Sequence, residues 1–170
     1  SYCDVIVIRH YENDAAERAA AVSSVPIINA GAGTGEHPTQ ALLDLYTMKK
    51  EKGRIDDLKI ALVGDLLYGR TVHYLARLLP LYRNVKIFFV SPPNLRMPEE
   101  YMECLDGKGV LYKETHDFRD VENADIVYMT RVQRERFSSE EEYERVKNCY
   151  VLDRKALEIL KHDAVIMHTL

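Results

Sequence analysis

Cysteine is scarce in this chain of 170 residues, and no two cysteines lie close together. Cys3, Cys104 and Cys149 stand far apart, no CxxC pair occurs, and no Cys/His spacing typical of a metal site is present. An odd number of widely separated cysteines suits thiols in a reducing compartment and disfavours a disulfide scaffold. The sequence therefore predicts a cytoplasmic protein without structural disulfides or a bound metal.

Long apolar runs are also absent. No stretch of about eighteen consecutive apolar residues occurs, so no membrane span is predicted. The first residues, SYCDVIVIRH, lack the basic region of a signal peptide and favour a strand, so no leader is expected. The formal net charge of -4 at pH 7 argues against general nucleic-acid binding. One local basic cluster can still hold a small anion, because net charge says little about a single pocket.

The glycine patterns of nucleotide-binding loops are missing as well. VGDLLYGR lies between a predicted strand and a predicted helix, as a dinucleotide-binding turn would. Gly64 and Gly69 are its only glycines, so the G-x-G-x-x-G pattern fails, and no Walker A pattern occurs. A nucleotide site is therefore less favoured than a site for a small anion.

Apolar strand patterns alternate with helical patterns along the whole chain. Continuous β-branched runs such as IALVGD and IFFVS are typical of strands buried on both faces. Alternation of this kind predicts an α/β fold with parallel sheets and helices on both faces. The polar stretch KKEKGRIDD predicts a boundary near residues 50–56. Helices are predicted over 14–22, 38–52, 70–79, 98–106, 117–122, 138–147 and 153–160.

Polar side chains follow the predicted strands at the point where each strand ends. In parallel sheets, ligands bind beyond the carboxyl ends of the strands. Arginine forks match carboxylate and phosphate oxygens, and helix N-termini add partial positive charge. The pattern therefore predicts a small ligand with several anionic groups at one edge. The residues concerned are Arg9, His10, His37, Gln40, Arg70, Arg131, Gln133, His168, Thr169 and Leu170.

Several of these residues also have a purely structural interpretation. His37 precedes Pro38 at a helix start, so its side chain either caps the helix or is aimed into a site. Arg70 either binds an anion or pairs with Asp65. The arginines of RVQRER either bind an anion or form a solvated charge lattice with the acidic run that follows. His73, one turn after Arg70, is expected to be structural, and His10, His116 and His162 are expected to be non-functional.

Four long segments resemble aspartate carbamoyltransferases: HPTQALLDLYT (37–47), VGDLLYGRTVH (63–73), YMTRVQRER (128–136) and VIMHTL (165–170). VIVIRH (5–10) and INAGAGTGEHPTQ (28–40) fit the same family in the same order. The resemblance extends over essentially the whole chain, and HPTQ and MTRVQ favour the aspartate enzymes over their ornithine relatives. It implies transfer of the carbamoyl group from carbamoyl phosphate to L-aspartate in de novo pyrimidine synthesis, without a metal or organic cofactor.

The resemblance also implies roles for individual residues. It places carbamoyl phosphate against Arg9, His37 and Gln40. Of these, His37 and Arg9 are expected to be catalytic, with His37 donating a hydrogen bond to the carbonyl oxygen, where negative charge develops. It places the carboxylates of L-aspartate against Arg70, Arg131 and Gln133, and it places the Leu170 backbone beside the substrate amine.

The same resemblance implies an assembly and a division of the chain. It implies a homotrimer with active sites shared between subunits, with regulatory chains as possible further partners. It assigns 1–36 to the end of a carbamoyl-phosphate-binding domain, 37–56 to an interdomain helix and linker, and 57–170 to an aspartate-binding domain. Neither nucleic acid nor a membrane is an expected partner.

The chain departs from the family pattern at several points. The family's phosphate-binding Ser-Thr-Arg-Thr loop lies upstream of the matching region and does not occur in this sequence. We therefore expect this span alone to be half a site. A catalytically silent binding or assembly module and an ornithine carbamoyltransferase are the alternatives. Residues that differ from the usual family residue are Tyr11, Ala32, Leu67 and Thr169.

Overall fold

The computed structural model describes residues 2–32 and 37–168, which form two sheets. The first sheet consists of β1 (Ile6–His10) and β2 (Ile27–Ala32), with helix α1 (Ala15–Val22) between them in sequence. The two strands are parallel. Apolar side chains such as Val7 and Ile28 remain exposed on this sheet, since two strands and one helix are too few to bury both faces.

The second sheet has five parallel strands in the order β5-β4-β3-β6-β7. They are β3 (Lys59–Val63), β4 (Lys86–Val90), β5 (Leu111–Thr115), β6 (Ile126–Met129) and β7 (Val165–His168). The helices are α2 (Pro38–Lys52), α3 (Arg70–Leu78), α4 (Glu99–Asp106), α5 (Glu140–Val146) and α6 (Arg154–Ile159). The predicted α/β fold with parallel sheets is confirmed.

Both faces of the second sheet are covered, as the continuous apolar strands predict. Successive residues of a strand point to opposite faces. Ile60 and Leu62 of β3 belong to a core cluster that includes residues of α2, α3 and α4. Ala61 and Val63 of the same strand belong to a second cluster, with Val121 and Leu160 on the other face.

Helix α2 packs on the second sheet although it follows directly from the first. Pro38 occupies its first turn, where a missing amide hydrogen costs nothing. Gly53 ends it with a left-handed backbone at φ 71°. The helical spacing of apolar Ala41, Leu42, Leu45 and Met48 predicts one buried face. Ala41, Leu45 and Met48 enter the core, whereas Leu42 is 59% exposed.

One strand ends later than its sequence indicates. VPIIN followed by AGAGTGE predicts a strand that ends at Asn29, but β2 continues through Ala32. The short helix predicted over 117–122 is present as a 3₁₀ helix, Phe118–Val121, with Asp117 as its cap. Within residues 2–32 and 37–168, no helix is long and apolar enough to cross a membrane. No disulfide joins the described cysteines.

Candidate functional site

The strand order of the second sheet places a crevice between β3 and β6. From β3 the chain builds outward through β4 to β5, and then returns to place β6 on the other side of β3. Such a reversal leaves an open crevice at the carboxyl ends of the two central strands. Arg70 begins the helix after β3, and Arg131 and Gln133 follow β6. These three candidate residues therefore follow the two strands that border this crevice.

The two loops at the crevice are joined by short contacts. Thr130 donates its amide to the carbonyl of Val63 at 2.8 Å. Gln133 donates its side-chain amide to the carbonyl of Tyr68 at 2.9 Å. Gly64 allows this approach, because a Cβ built on it would stand 2.4 Å from the carbonyl oxygen of Thr130. The loop after β3 is thus fixed against the loop after β6.

Asp65 organises the same crevice. Its buried carboxylate accepts hydrogen bonds from the amide of Tyr68 at 2.9 Å and the amide of Gln133 at 3.4 Å. Burial raises the pKa of this carboxyl, while the two amides and the charge of Arg136 oppose the rise. Sequence reasoning considered Asp65 only as a partner for Arg70, and it missed this role in holding the two loops.

A β-bulge aims the end of the first sheet toward the same region. From Ile8 to His10, β1 advances by two residues while β2 advances by three, from Asn29 to Ala32. The additional residue bends the strand and redirects side chains. Gly31, at φ 124°, lies in the bulge, and its amide donates to the side chain of Asn29 at 2.9 Å. Arg9 is the residue opposite the bulge.

A cavity of about 480 Å³ collects residues from both sheets. We name it the basic cavity. It brings Arg9 from β1, His37 from the start of α2 and Arg70 from the start of α3 to one place. These residues are separated by up to 61 positions in sequence, from Arg9 to Arg70. The lining residues are Arg9, His10, Tyr11, Gly31, His37 and Arg70.

The electrostatics of the basic cavity favour an anion. Burial, and then the charges of Arg70 and Arg9, lower the pKa of His37 from 6.5. Burial, and then the charges of Arg136 and Arg9, lower the pKa of Arg70. The two arginines give the cavity a positive potential, which attracts anions. The same charges favour the neutral imidazole of His37, which can still donate a hydrogen bond.

The side chain of His37 does not cap its helix. His37 occupies the cap position, but only its backbone carbonyl serves the helix, accepting from the amides of Gln40 and Ala41 at 3.2 and 3.3 Å. Its ring Nδ1 lies 3.3 Å from the Thr39 hydroxyl. A Cβ built on Gly31 would lie 3.6 Å from ring Nε2, so glycine leaves room for the imidazole. The capping interpretation of this side chain is therefore wrong.

The remaining predicted residues are divided between other positions. Arg131 and His168 line a separate cavity of about 460 Å³, which we name the loop cavity. The sequence predicted a single cluster, but the structure separates them from the basic cavity because the chain after β6 turns toward α5. Gln40 donates its side-chain amide to Asp44 at 3.0 Å. Leu170 and Thr169 lie outside the described residues, as do residues 33–36.

The arginines of RVQRER have different surroundings. Arg134 forms an ion pair with Glu140 at 2.7 Å, as the charge-lattice interpretation predicts. Arg136 acts electrostatically on Arg70 and Asp65, a relation that the sequence pattern did not reveal. His73 is structural, as predicted: its Nε2 lies 2.7 Å from the carbonyl of Leu66, and its ring stacks on Tyr101 at 4.4 Å.

Two family models together match nearly the whole chain. Residues 1–50 match the carbamoyl-P binding domain of aspartate/ornithine carbamoyltransferases, and residues 56–170 match the Asp/Orn binding domain. The basic cavity is lined by Arg9 and His37 from the first of these spans and by Arg70 from the second.

The chain spans about half the length of the curated proteins and solved structures that it matches. The aspartate carbamoyltransferase catalytic subunit of Methanococcus vannielii is 51% identical over 169 residues, which cover 99% of this chain and 55% of that protein. The chloroplastic aspartate carbamoyltransferase of Oryza sativa is 48% identical over 171 residues, covering 99% and 47%.

Two solved structures show the same fold. The catalytic subunit of M. jannaschii aspartate transcarbamoylase matches with a TM-score of 0.89 and 49% identity, covering 98% of this chain and 54% of that one. Aspartate transcarbamoylase from Trypanosoma cruzi in complex with N-(phosphonacetyl)-L-aspartic acid matches with a TM-score of 0.86 and 40% identity, covering 98% and 55%.

Proposed function

The chain belongs to the aspartate/ornithine carbamoyltransferase family, and on that premise we propose that the protein transfers the carbamoyl group of carbamoyl phosphate to the amino group of L-aspartate. The products are N-carbamoyl-L-aspartate and phosphate, in de novo pyrimidine synthesis. The observation that supports the proposal most is the basic cavity, where two arginines and a neutral histidine from the two family spans converge.

On the donor side, Arg9, His37 and Gln40 bind carbamoyl phosphate. The aspartate amine attacks the carbonyl carbon, a tetrahedral intermediate forms, and the bond from carbon to the phosphate oxygen breaks. The proton of the attacking amine passes to the departing phosphate. His37 donates a hydrogen bond to the carbonyl oxygen as negative charge develops there, and Arg9 offsets charge on the phosphate. The lowered pKa of His37 supports this role, because it favours the neutral imidazole, which still donates through its ring N–H.

On the acceptor side, Arg70, Arg131, Gln133 and the Leu170 backbone hold L-aspartate. Arg70 lines the basic cavity and Arg131 lines the loop cavity. Each guanidinium suits one carboxylate of a dicarboxylate acceptor. L-Ornithine would bring an ammonium group toward a guanidinium, which like-charge repulsion disfavours. In this assignment, residues 1–36 end the donor domain, 37–56 form the interdomain helix and linker, and 57–170 form the acceptor domain.

The proposed assembly is a homotrimer with shared active sites, as the family resemblance implies. The relatives from M. vannielii and M. jannaschii are named catalytic subunits, so regulatory chains are proposed as possible partners here. The proposed compartment is the cytoplasm.

Ligand binding by the ¹⁵N-labelled 170-residue chain tests the proposal. We expect L-aspartate to shift the backbone amide signals of Arg70, Arg131 and Gln133, and carbamoyl phosphate to shift those of Arg9 and His37. L-Ornithine should leave all five unchanged. The same samples are assayed for N-carbamoyl-L-aspartate. Equal effects of ornithine and aspartate, or shifts confined to residues remote from both cavities, would contradict the proposal.

The titration of His37 provides a second prediction. In the ligand-free chain its pKa should lie below 6.5, because burial and two arginines disfavour the imidazolium. Inorganic phosphate in the basic cavity should raise that pKa, since an anion favours the charged ring. The ring signals are followed by NMR against pH and assigned with the His37→Gln variant. A pKa at or above 6.5 without ligand would contradict the prediction.

Arg131 and Arg134 form a matched pair on one loop. Arg131→Ala should weaken L-aspartate binding about thirtyfold and leave carbamoyl phosphate binding within about twofold, because only the acceptor loses a carboxylate contact. Arg134→Ala should change neither affinity, since Arg134 pairs with Glu140. Affinities are measured by NMR titration. Equal losses for both ligands in Arg131→Ala would remove Arg131 from the acceptor site.

A further inference from the structure

A buried hydrogen-bonded chain connects the donor side with the second sheet. Asp44 of α2 is 3% exposed, and it accepts hydrogen bonds at both carboxylate oxygens. Gln40 Nε2 donates to Oδ1 at 3.0 Å, and the Tyr128 hydroxyl donates to Oδ2 at 2.8 Å. The hydroxyl of Tyr128 also bonds to the side chain of Thr71, which follows Arg70.

The members of this chain come from α2, α3 and β6, and each of these elements carries or directly precedes predicted site residues. Gln40 is the third residue of α2, after Pro38 and Thr39. Tyr128 is fully buried on β6, the strand that leads to Arg131 and Gln133. Asp44 and Tyr128 are 84 positions apart in sequence. A buried carboxylate with two donors is held firmly, because losing either donor leaves a desolvated charge uncompensated.

The contact with Asp44 also fixes the orientation of the Gln40 amide. A carboxylate only accepts, so the NH₂ group of Gln40 must face it. The carbonyl oxygen Oε1 is then the acceptor that Gln40 offers elsewhere. An acceptor is what the NH₂ group of a carbamoyl donor requires, whereas an inorganic phosphate dianion carries no such group.

We propose that Asp44 and Tyr128 are positioning residues for the carbamoyl donor, Tyr128 fixing Asp44 and Asp44 fixing the Gln40 amide with its carbonyl oxygen available to the donor's NH₂. This inference rests on the proposed function, because it assumes that Gln40 faces carbamoyl phosphate. It adds that the strand leading to the acceptor residues also determines how the donor is recognised.

Asp44→Asn is the decisive variant because it changes an acceptor into a donor at nearly constant shape. Tyr128 should continue to donate to the remaining carbonyl oxygen, so the new NH₂ group faces Gln40 and forces its amide to turn over. Carbamoyl phosphate would then meet an NH₂ group where it needs an acceptor. Tyr128→Phe removes only the hydroxyl that fixes Asp44. Tyr112→Phe is the matched control, because the Tyr112 hydroxyl donates to Asp106 at 3.2 Å in an exposed hydrogen bond.

The 170-residue chain is titrated with carbamoyl phosphate and, separately, with inorganic phosphate. We expect Asp44→Asn to weaken carbamoyl phosphate binding about tenfold and phosphate binding less than about twofold. Tyr128→Phe should produce the same selectivity with a smaller loss of about threefold, and Tyr112→Phe should produce none. Parallel losses for both ligands, or no loss in a folded Asp44→Asn chain, would overturn the proposal.

A direct readout is available because the sequence contains only two glutamines, Gln40 and Gln133. Their side-chain NH₂ signals are assigned with Gln40→Ala. The Gln40 signal should shift in Asp44→Asn and in Tyr128→Phe, but not in Tyr112→Phe. If Asp44→Asn does not fold, Tyr128→Phe alone provides the test. An unmoved signal overturns the proposal. Failure of the proposed function gives a different result, because the unmodified chain would then bind carbamoyl phosphate and inorganic phosphate with equal affinity.

Discussion

Gly64→Ala is expected to lower the free energy of unfolding by about 4 kcal/mol, as the sum of backbone strain and overpacking. Gly64 has φ 118°, a conformation that L-residues rarely adopt. A Cβ at this position would also stand 2.4 Å from the carbonyl oxygen and 2.6 Å from the hydroxyl oxygen of Thr130. Neither atom can move without separating β3 from β6, because Thr130 is bonded to Val63 through both its amide and its hydroxyl.

Gly53→Ala is the matched control for this variant. Gly53 also has a positive φ, 71°, but a Cβ there would meet no heavy atom within 4 Å. The loss should therefore be about 1 kcal/mol, from backbone strain alone. Both variants are compared by urea denaturation followed by circular dichroism. If the two losses were equal, the close approach of the β3 and β6 loops would have no energetic weight, and the crevice would be looser than its contacts indicate.

Much of the fold could be predicted from the sequence because burial on both faces leaves a strong pattern. Residues 60–63 of β3 and 126–129 of β6 place hydrophobic side chains on both faces, as expected for a covered parallel sheet. The errors lie where the pattern is weak. Gly31 looks like a loop residue, yet at φ 124° it continues β2 through a bulge. Leu42 is apolar at helical spacing, yet it faces outward.

The site residues could be predicted where their place at the end of a strand or the start of a helix determines their position in the fold. Arg9 lies at the end of β1, His37 directly precedes α2 and Arg70 begins α3, and the fold brings the three together in the basic cavity. Sequence spacing could not distinguish the arginines of RVQRER, because Arg134 pairs with a glutamate while Arg136 influences Arg70. It also could not reveal the contact between Asp44 and Tyr128, since no local pattern links two residues from different elements.

Arg70→Ala is expected to abolish most of the affinity for an acceptor or a bisubstrate anion. In the basic cavity, burial and then the charges of Arg136 and Arg9 lower the pKa of Arg70. A bound anion would offset the repulsion between these cations. Removing one partner of such a contact costs about 3 kcal/mol, or about a hundredfold in the dissociation constant. The probe is N-(phosphonacetyl)-L-aspartate, and binding is measured by calorimetry.

Arg77→Ala on the same helix is the control, because Arg77 lies 5.1 Å from the Tyr101 ring and pairs with Glu100 at 3.9 Å, outside the basic cavity. It should change the dissociation constant less than about twofold, as expected for a surface ion pair. A second readout needs no ligand. Arg70→Ala should raise the pKa of His37, since the Arg70 charge is the second-largest cause of its depression after burial. An unchanged His37 titration would show that the two side chains do not share one electrostatic environment, and lost affinity would then have to be attributed to altered folding of the loop before α3.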